Sequence, residues 1–118
     1  MGKAKAVVVI STFSTEESAA EAAKKLVEKG LCACANFTKV RSIYQWKGKI
    51  EDQPEYVALF KCTKASAKKL KEELEKIHPY DVPEIVEIKM SDVSKPYLSW
   101  LGESAHRVPK KRNNAAKR

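Results

Sequence analysis

The chain has 118 residues, 43% of them hydrophobic, which is enough for one core but not for two. No apolar run approaches the ~20 residues that a membrane-spanning helix needs, and the longest strong one is 6–10. That run is also too short for the apolar part of a secretory signal peptide, and the three cysteines lack the spacing of a disulfide framework. We therefore expect one cytoplasmic domain with reduced thiols and no membrane association.

The formal net charge of +8 is concentrated at the carboxyl end of the chain. Residues 105–118 contain six basic residues and no acidic one, and without these six the charge falls to +2. The six are Arg107, Lys110, Lys111, Arg112, Lys117 and Arg118. Because this segment has no periodic apolar positions, we predict a domain at 1–104 and a disordered basic tail at 105–118. The alternative, a nucleic-acid-binding arm, is less favoured because blocks of like charge are usually solvated.

The first half of the domain predicts a strand, a helix and a long strand. Residues 5–13 are rich in β-branched side chains, which favours a central strand. Ser14 and Glu17 have the spacing of a capping box, and the apolar positions that follow predict a helix over 15–29, which Gly30 ends. Residues 31–46 predict a second strand that is bent or bulged near Thr38 and Lys39.

The second half begins with a hairpin, because Lys47-Gly48-Lys49 is a turn sequence between two strand patterns. The partner strand is predicted at 56–62, and Thr63 then caps a helix that ends before Pro79. A fourth strand at 83–90 and a short helical segment at 97–101 complete the chain. The order β-α-β-β-α-β predicts an α+β, ferredoxin-like fold, with an antiparallel sheet and both helices on one face.

Five short segments, taken together and in this order, make the chain resemble the CutA family of divalent-cation tolerance proteins. The resemblance covers about Val7 to Ser104 and implies a homotrimer, a cytoplasmic setting, and an association with copper and other divalent metal ions. The segments are Ala33-Cys34-Ala35-Asn36, the hairpin from Ser42 to Glu51, Lys61, the stretch from His78 to Glu84, and Tyr97-Leu98-x-Trp100-Leu101.

The residues of the hairpin agree with self-association. A hairpin longer than a small four-stranded domain can cover leaves edge amides unpaired and exposes Tyr44, Trp46 and Ile50. Pairing with a neighbouring subunit would satisfy both groups, and we therefore predict that Tyr44 and Trp46 lie at a trimer interface. The alternative is that Trp46 folds back on its own hairpin.

His78 is the first candidate metal ligand, because imidazole suits copper, zinc and nickel and a proline follows it at a helix end. The resemblance places the copper ligands of bacterial CutA proteins at His78 and at two positions occupied here by Ser11 and Ile77. Two of the three ligands are therefore missing. The alternative is that His78 simply interacts with the last carbonyls of its helix.

The cysteines offer a second possible metal site. Cys32 and Cys34 are two residues apart on the predicted strand and so share a face, and Cys62 lies on a neighbouring strand. Three thiolates could bind a soft metal ion, and Cys34, which belongs to the family motif, is the candidate ligand among them. We favour the alternative that these cysteines are small core residues.

A third candidate site combines Trp46, Lys61, Tyr80 and Glu84 in a cleft between subunits. A cation, a phenol and a carboxylate over an aromatic floor would suit a small anionic ligand. The alternative, which we favour, is a network of ion pairs and hydrogen bonds that holds the trimer together.

Two other functions share this fold. An RNA-recognition motif needs a glycine- and aromatic-rich third strand, and residues 55–61 contain no glycine. An acylphosphatase needs a phosphate-binding loop after the first strand, but residues 11–15 contain neither Gly nor Arg. No Ser-His-Asp, Cys-His or paired-carboxylate arrangement follows from the spacing. We therefore predict a non-catalytic, metal-responsive trimer, with RNA binding as the alternative.

Overall fold

The computed structural model describes residues 5–105, so the predicted tail from residue 106 onward lies outside the described residues. It confirms the predicted order, including the short helix at the end. The elements are β1 (Ala6–Phe13), α1 (Glu16–Glu28), β2 (Cys34–Trp46), β3 (Lys49–Thr63), α2 (Lys64–Ile77), β4 (Val86–Lys89) and α3 (Lys95–Glu103). None of these helices has both the length and the apolar composition that a membrane crossing requires.

The four strands form one antiparallel sheet in the order β2-β3-β1-β4, which confirms the ferredoxin-like α+β prediction. One main core lies where α1 and α2 pack on the sheet. Burial of a large apolar side chain contributes about 1.5–3 kcal/mol, so this cluster supplies most of the favourable free energy of folding. Its fully buried large side chains include Phe13, Leu26, Phe60, Leu70 and Leu74.

The hairpin of β2 and β3 is longer and more regular than the sequence predicts. Pairing continues without a break from Cys34 opposite Lys61 to Trp46 opposite Lys49, so the predicted bulge near Thr38 is absent and β3 begins at Lys49 rather than Tyr56. Lys47 and Gly48 both have positive φ, 51° and 79°, as a two-residue type I′ turn requires. The polar residues before Tyr56 are extended because β2 pairs with them.

The hairpin extends past the rest of the sheet. β1 ends at Phe13, opposite Tyr56, so residues 49–55 of β3 have β2 on one side and no strand of the described chain on the other. Pro54 lies in this edge segment, where a missing amide donor is tolerated. The end of the hairpin is therefore an arm that projects from the domain.

Three further elements have bounds that differ from the prediction. β2 begins at Cys34 rather than Leu31, because the amide of Leu31 still donates to the Leu26 carbonyl at the end of α1. β4 contains only four residues, since it pairs only with Val7–Ile10 of β1. α3 is longer than the predicted segment at 97–101 and has Pro96 in its first turn, a favourable position for proline.

Thr15, rather than Ser14, caps α1, so the predicted capping box is wrong by one residue. The Thr15 hydroxyl accepts a hydrogen bond from the Ser18 amide at 3.0 Å, and the Ser18 hydroxyl lies 3.0 Å from the Thr15 carbonyl. The predicted cap of α2 is confirmed, because the Thr63 hydroxyl accepts from the Ser66 amide at 3.3 Å.

We predict that Thr15→Ala lowers the free energy of unfolding by about 1 kcal/mol, since it removes this cap, whereas Thr15→Ser keeps the hydroxyl and has little effect. Urea unfolding of the two variants and the parent at equal protein concentration measures the difference. A loss for Ser14→Ala with none for Thr15→Ala would instead place the cap at Ser14.

Candidate functional site

His78 lies at the carboxyl end of α2 and is buried, with 8% of its surface exposed. Pro79 ends the helix here, and the imidazole turns toward the end of β1. It stacks on the Phe13 ring with the ring centres 4.4 Å apart and the planes 18° apart. His78 therefore packs against the core at the point where β1 ends.

Both ring nitrogens of His78 have hydrogen-bond partners. Nδ1 accepts from the backbone amide of Tyr80 at 3.1 Å, and Nε2 lies 2.9 Å from the Thr12 carbonyl and 3.1 Å from the Ser11 hydroxyl. Because a carbonyl can only accept, the proton lies on Nε2 and the ring is neutral. Burial lowers the pKa of His78, and the Thr12 carbonyl and Glu55 only partly oppose this effect. Neither nitrogen thus has a free lone pair for a metal ion.

The other proposed metal positions do not complete a site. Ser11 lies beside His78 but supplies a hydroxyl, and Ile77 packs against the core. Cys34 lies at the start of β2, opposite Lys61 and far from His78 along the sheet. Across residues 5–105, no group of three His, Cys, Asp or Glu side chains could hold a metal ion. The residues present therefore do not fit a copper site of the composition that the resemblance implies.

The cysteines divide into two buried residues and one partly buried residue. Cys32 and Cys62 belong to the core between helices and sheet, and burial raises the pKa of Cys32 to about 12 and that of Cys62 to about 11. Both are therefore protonated thiols at neutral pH. Cys34 is partly buried, and its thiol lies 3.6 Å from the Asn36 side-chain oxygen. This placement supports the reading of Cys32 and Cys62 as small core residues.

A cavity of about 540 Å³ opens between the hairpin arm and the segment that follows α2. It brings together four of the residues singled out in the sequence, Tyr44, Trp46, Tyr80 and Glu84. Its remaining lining residues are Thr12, Ser42, Ile43, Glu55, Asp81 and Val82.

The hairpin register explains why these side chains meet. Ser42, Tyr44 and Trp46 alternate along β2 and therefore share one face of the strand. Val40 lies on the same face and pairs with Glu55, so the carboxylate of Glu55 projects to that face as well. The arm thus supplies one wall of the cavity, with two aromatic rings and one carboxylate.

Tyr80 joins the two walls. Its hydroxyl donates a hydrogen bond of 2.6 Å to Glu55, which is buried with 8% of its surface exposed. Burial and the Glu55 carboxylate raise the pKa of Tyr80 above its usual range, and Ser14 acts in the opposite direction. The Tyr80 ring also lies 4.9 Å from the His78 ring. The side chains of Phe13, His78, Tyr80 and Glu55 therefore form a continuous series from the core to the cavity.

Lys61 does not join this group. It lies six residues from Glu55 on β3, or about 20 Å along an extended strand, and it is not among the residues that line the cavity. Glu55 and Asp81, which are not among the predicted site residues, take part instead. A strand that began at Lys49 would have revealed Glu55, because alternation then places it on the face of Tyr44 and Trp46.

Comparison with known proteins assigns the chain to one family. The sequence model of the CutA1 divalent ion tolerance protein family matches residues 7–104. The divalent-cation tolerance protein CutA of Thermotoga maritima is 47% identical over 98 residues, which are 83% of this chain and 97% of that protein. Its counterpart in Pyrococcus horikoshii is 42% identical, over 82% of this chain and 95% of that protein.

Solved structures of CutA proteins have the same fold as this chain. The crystal structure of CutA1 from Pyrococcus horikoshii superimposes with a TM-score of 0.81 at 41% identity and covers 83% of this chain and 96% of that one. CutA from Synechococcus elongatus gives a TM-score of 0.84 at 33% identity, with 89% and 94% covered. The match includes the elements that carry the hairpin arm and the cavity, and the chain belongs to the CutA1 divalent ion tolerance family.

Proposed function

We propose that this CutA1 family protein works as a homotrimer in the response to divalent metal ions, in the cytoplasm and without catalysis. The observation that carries the proposal is the exposed apolar surface of the hairpin arm. Ile43 and Ile50 are 63% and 71% exposed there, and neither belongs to the main core. Apolar surface at an unpaired strand edge favours contact with another chain.

A second apolar surface lies at the opposite edge of the sheet. β4 is the outermost strand on that side, and its Val86 and Ile88 are 44% and 45% exposed. Because the two surfaces are different and lie at opposite edges, contact between them is head-to-tail. A head-to-tail contact that closes on itself makes a ring, and the family resemblance supports a ring of three chains.

The free cysteines of this chain and the description of one relative both concern the cellular compartment of the protein. Cys32, Cys34 and Cys62 form no disulfide with one another, which suits a reducing compartment. A family member from Archaeoglobus fulgidus, 30% identical with a TM-score of 0.83, is described as a periplasmic divalent cation tolerance protein. Our proposal of a cytoplasmic setting rests on the thiols of this chain.

The one contact that resembles a catalytic pair supports a structural role. Ser11 and His78 are 3.1 Å apart, as a nucleophile and its base would be. However, Ser11 is fully buried, and His78 Nε2 donates its proton to the Thr12 carbonyl, so this nitrogen cannot take the proton of Ser11. No substrate can reach the serine, and we propose a protein that binds rather than catalyses.

The RNA-binding alternative gains no support. An RNA-recognition motif stacks bases on aromatic side chains of the sheet face opposite the helices. In this chain Phe60 is fully buried in the core on the helix side, and Tyr56, four residues earlier on the same face of β3, packs against that core. Neither ring of β3 is available to stack on a base.

We predict that Ile50→Glu converts the trimer to monomers, because the substitution would bury an unpaired carboxylate at each of the ring contacts. Analytical ultracentrifugation of the parent should give three times the 13.2 kDa chain mass. Ala65→Glu adds the same charge at an exposed position of α2 and should leave the trimer intact. A monomeric parent, or a trimeric Ile50→Glu variant, would contradict the proposed assembly.

Native mass spectrometry with copper tests directly whether His78 or Cys34 binds an ion. Since both nitrogens of His78 are engaged, we expect native mass spectra recorded with one equivalent of copper to show metal-free chains. The double variant Ser11→Cys, Ile77→His adds a thiolate and a second imidazole, which can bind copper without His78, and it serves as the positive control. Stoichiometric copper in the parent that is lost in His78→Ala would establish a site that the observed hydrogen bonds do not allow.

A further inference from the structure

The cavity beside the hairpin arm is acidic, and no basic residue lines it. Three carboxylates line it, those of Glu55, Asp81 and Glu84, and none of its lining residues is Lys or Arg. Within residues 5–105, the ion pairs of the protein involve other acidic residues and leave these three without a cationic partner. The cavity is thus negative, although the domain as a whole carries a small positive charge.

Among the three acidic residues of the cavity, Glu55 is the buried one. Its side chain is more than nine-tenths buried, and its hydrogen bond comes from the neutral phenol of Tyr80. A buried carboxylate without an opposing charge is costly, and a cation bound nearby offsets that cost. The electrostatics of the cavity therefore favour a positively charged ligand over the anionic one expected from the sequence.

The aromatic lining points to the type of cation. Tyr44, Trp46 and Tyr80 place three electron-rich rings around the cavity, and Trp46 and Tyr44 are 44% and 42% exposed. A cation within about 6 Å of such a ring is attracted to its face. The Trp46 ring already interacts with a cation, since the Lys47 ammonium lies 5.8 Å from its centre.

Size and spacing distinguish an organic cation from a metal ion. The acidic side chains of the cavity do not form a group that could hold a metal ion together. The volume of about 540 Å³ falls in the range of small-molecule sites and is far larger than one ion needs. A spread of carboxylates around aromatic rings matches a diffuse positive charge on an apolar body.

We propose that this cavity binds a small organic cation, an amine or quaternary ammonium group carried on a compact apolar body. The ammonium group lies among the Tyr44, Trp46 and Tyr80 rings, and Glu55 and Glu84 supply the opposing charge. The cavity is formed by a single chain, so the inference does not depend on the trimer or on metal binding.

The test is a titration of the full chain with benzyltrimethylammonium chloride, followed by backbone amide NMR. We expect saturable shifts confined to residues 42–46, 55 and 80–84. Benzenesulfonate, which has a similar ring and the opposite charge, should shift none of them. The same titration on Ile50→Glu shows whether a neighbouring subunit closes the cavity, because that variant carries no such neighbour.

Two exposed or partly exposed positions provide the variants. Trp46→Leu removes one ring of the cavity, and Glu84→Gln removes one charge; each should weaken binding by roughly tenfold. Glu28→Gln removes the same charge from an exposed position of α1 and should leave the affinity unchanged. The unaltered amide spectrum away from the cavity confirms that each variant is folded.

Three results would overturn the proposal. One is the absence of saturable shifts in both the parent and Ile50→Glu. Another is equal binding of benzenesulfonate, and the third is an affinity that neither Trp46→Leu nor Glu84→Gln changes. Shifts of the cavity residues with zinc or copper but not with benzyltrimethylammonium would replace the organic cation with a metal ion.

Discussion

The uninterrupted pairing of β2 with β3 is the constraint on which the other features of the molecule depend. All 13 residues of β2 have a partner on β3, and the pairing ends in a turn that only Lys47 and Gly48, with positive φ, make possible. β1 supports only the first part of this hairpin. The remainder becomes an arm whose two faces differ, because alternation separates Ile43 and Ile50 from Tyr44 and Trp46. The face of Ile50 is free for a neighbouring chain, and the face of Tyr44 and Trp46 forms a wall of the cavity, to which Ile43 also contributes.

His78 connects that arm to the core. Its neutral ring stacks on Phe13, accepts from the Tyr80 amide and donates to the Thr12 carbonyl. These contacts fix the segment after α2, so that the Tyr80 phenol meets Glu55 at 2.6 Å. The histidine that most resembles a metal ligand in the sequence thus positions the cavity wall, and its ring is committed to that role.

Local patterns predict the strands and helices well where one residue type determines the conformation, as at Gly48, Thr63 and Pro79. They fail where pairing with another strand determines the conformation. Residues 51–54 are polar and include a proline, so they read as a loop, but pairing with β2 makes them a strand. Because the sequence pattern starts the strand at Tyr56, it does not reveal Glu55, whose burial follows only from the register of the hairpin. Nor can a sequence pattern show that both nitrogens of His78 are occupied.

Hydrogen exchange at the arm tests whether another chain completes this hairpin. In an isolated chain the unpaired edge of β3 at residues 49–55 faces water, and its outward amides exchange rapidly. We expect slow exchange for these amides in the parent protein and fast exchange in Ile50→Glu, with β1 and the part of β3 beyond Tyr56 protected in both. Fast exchange of residues 49–55 in the parent at concentrations where it is fully folded would contradict the proposed assembly.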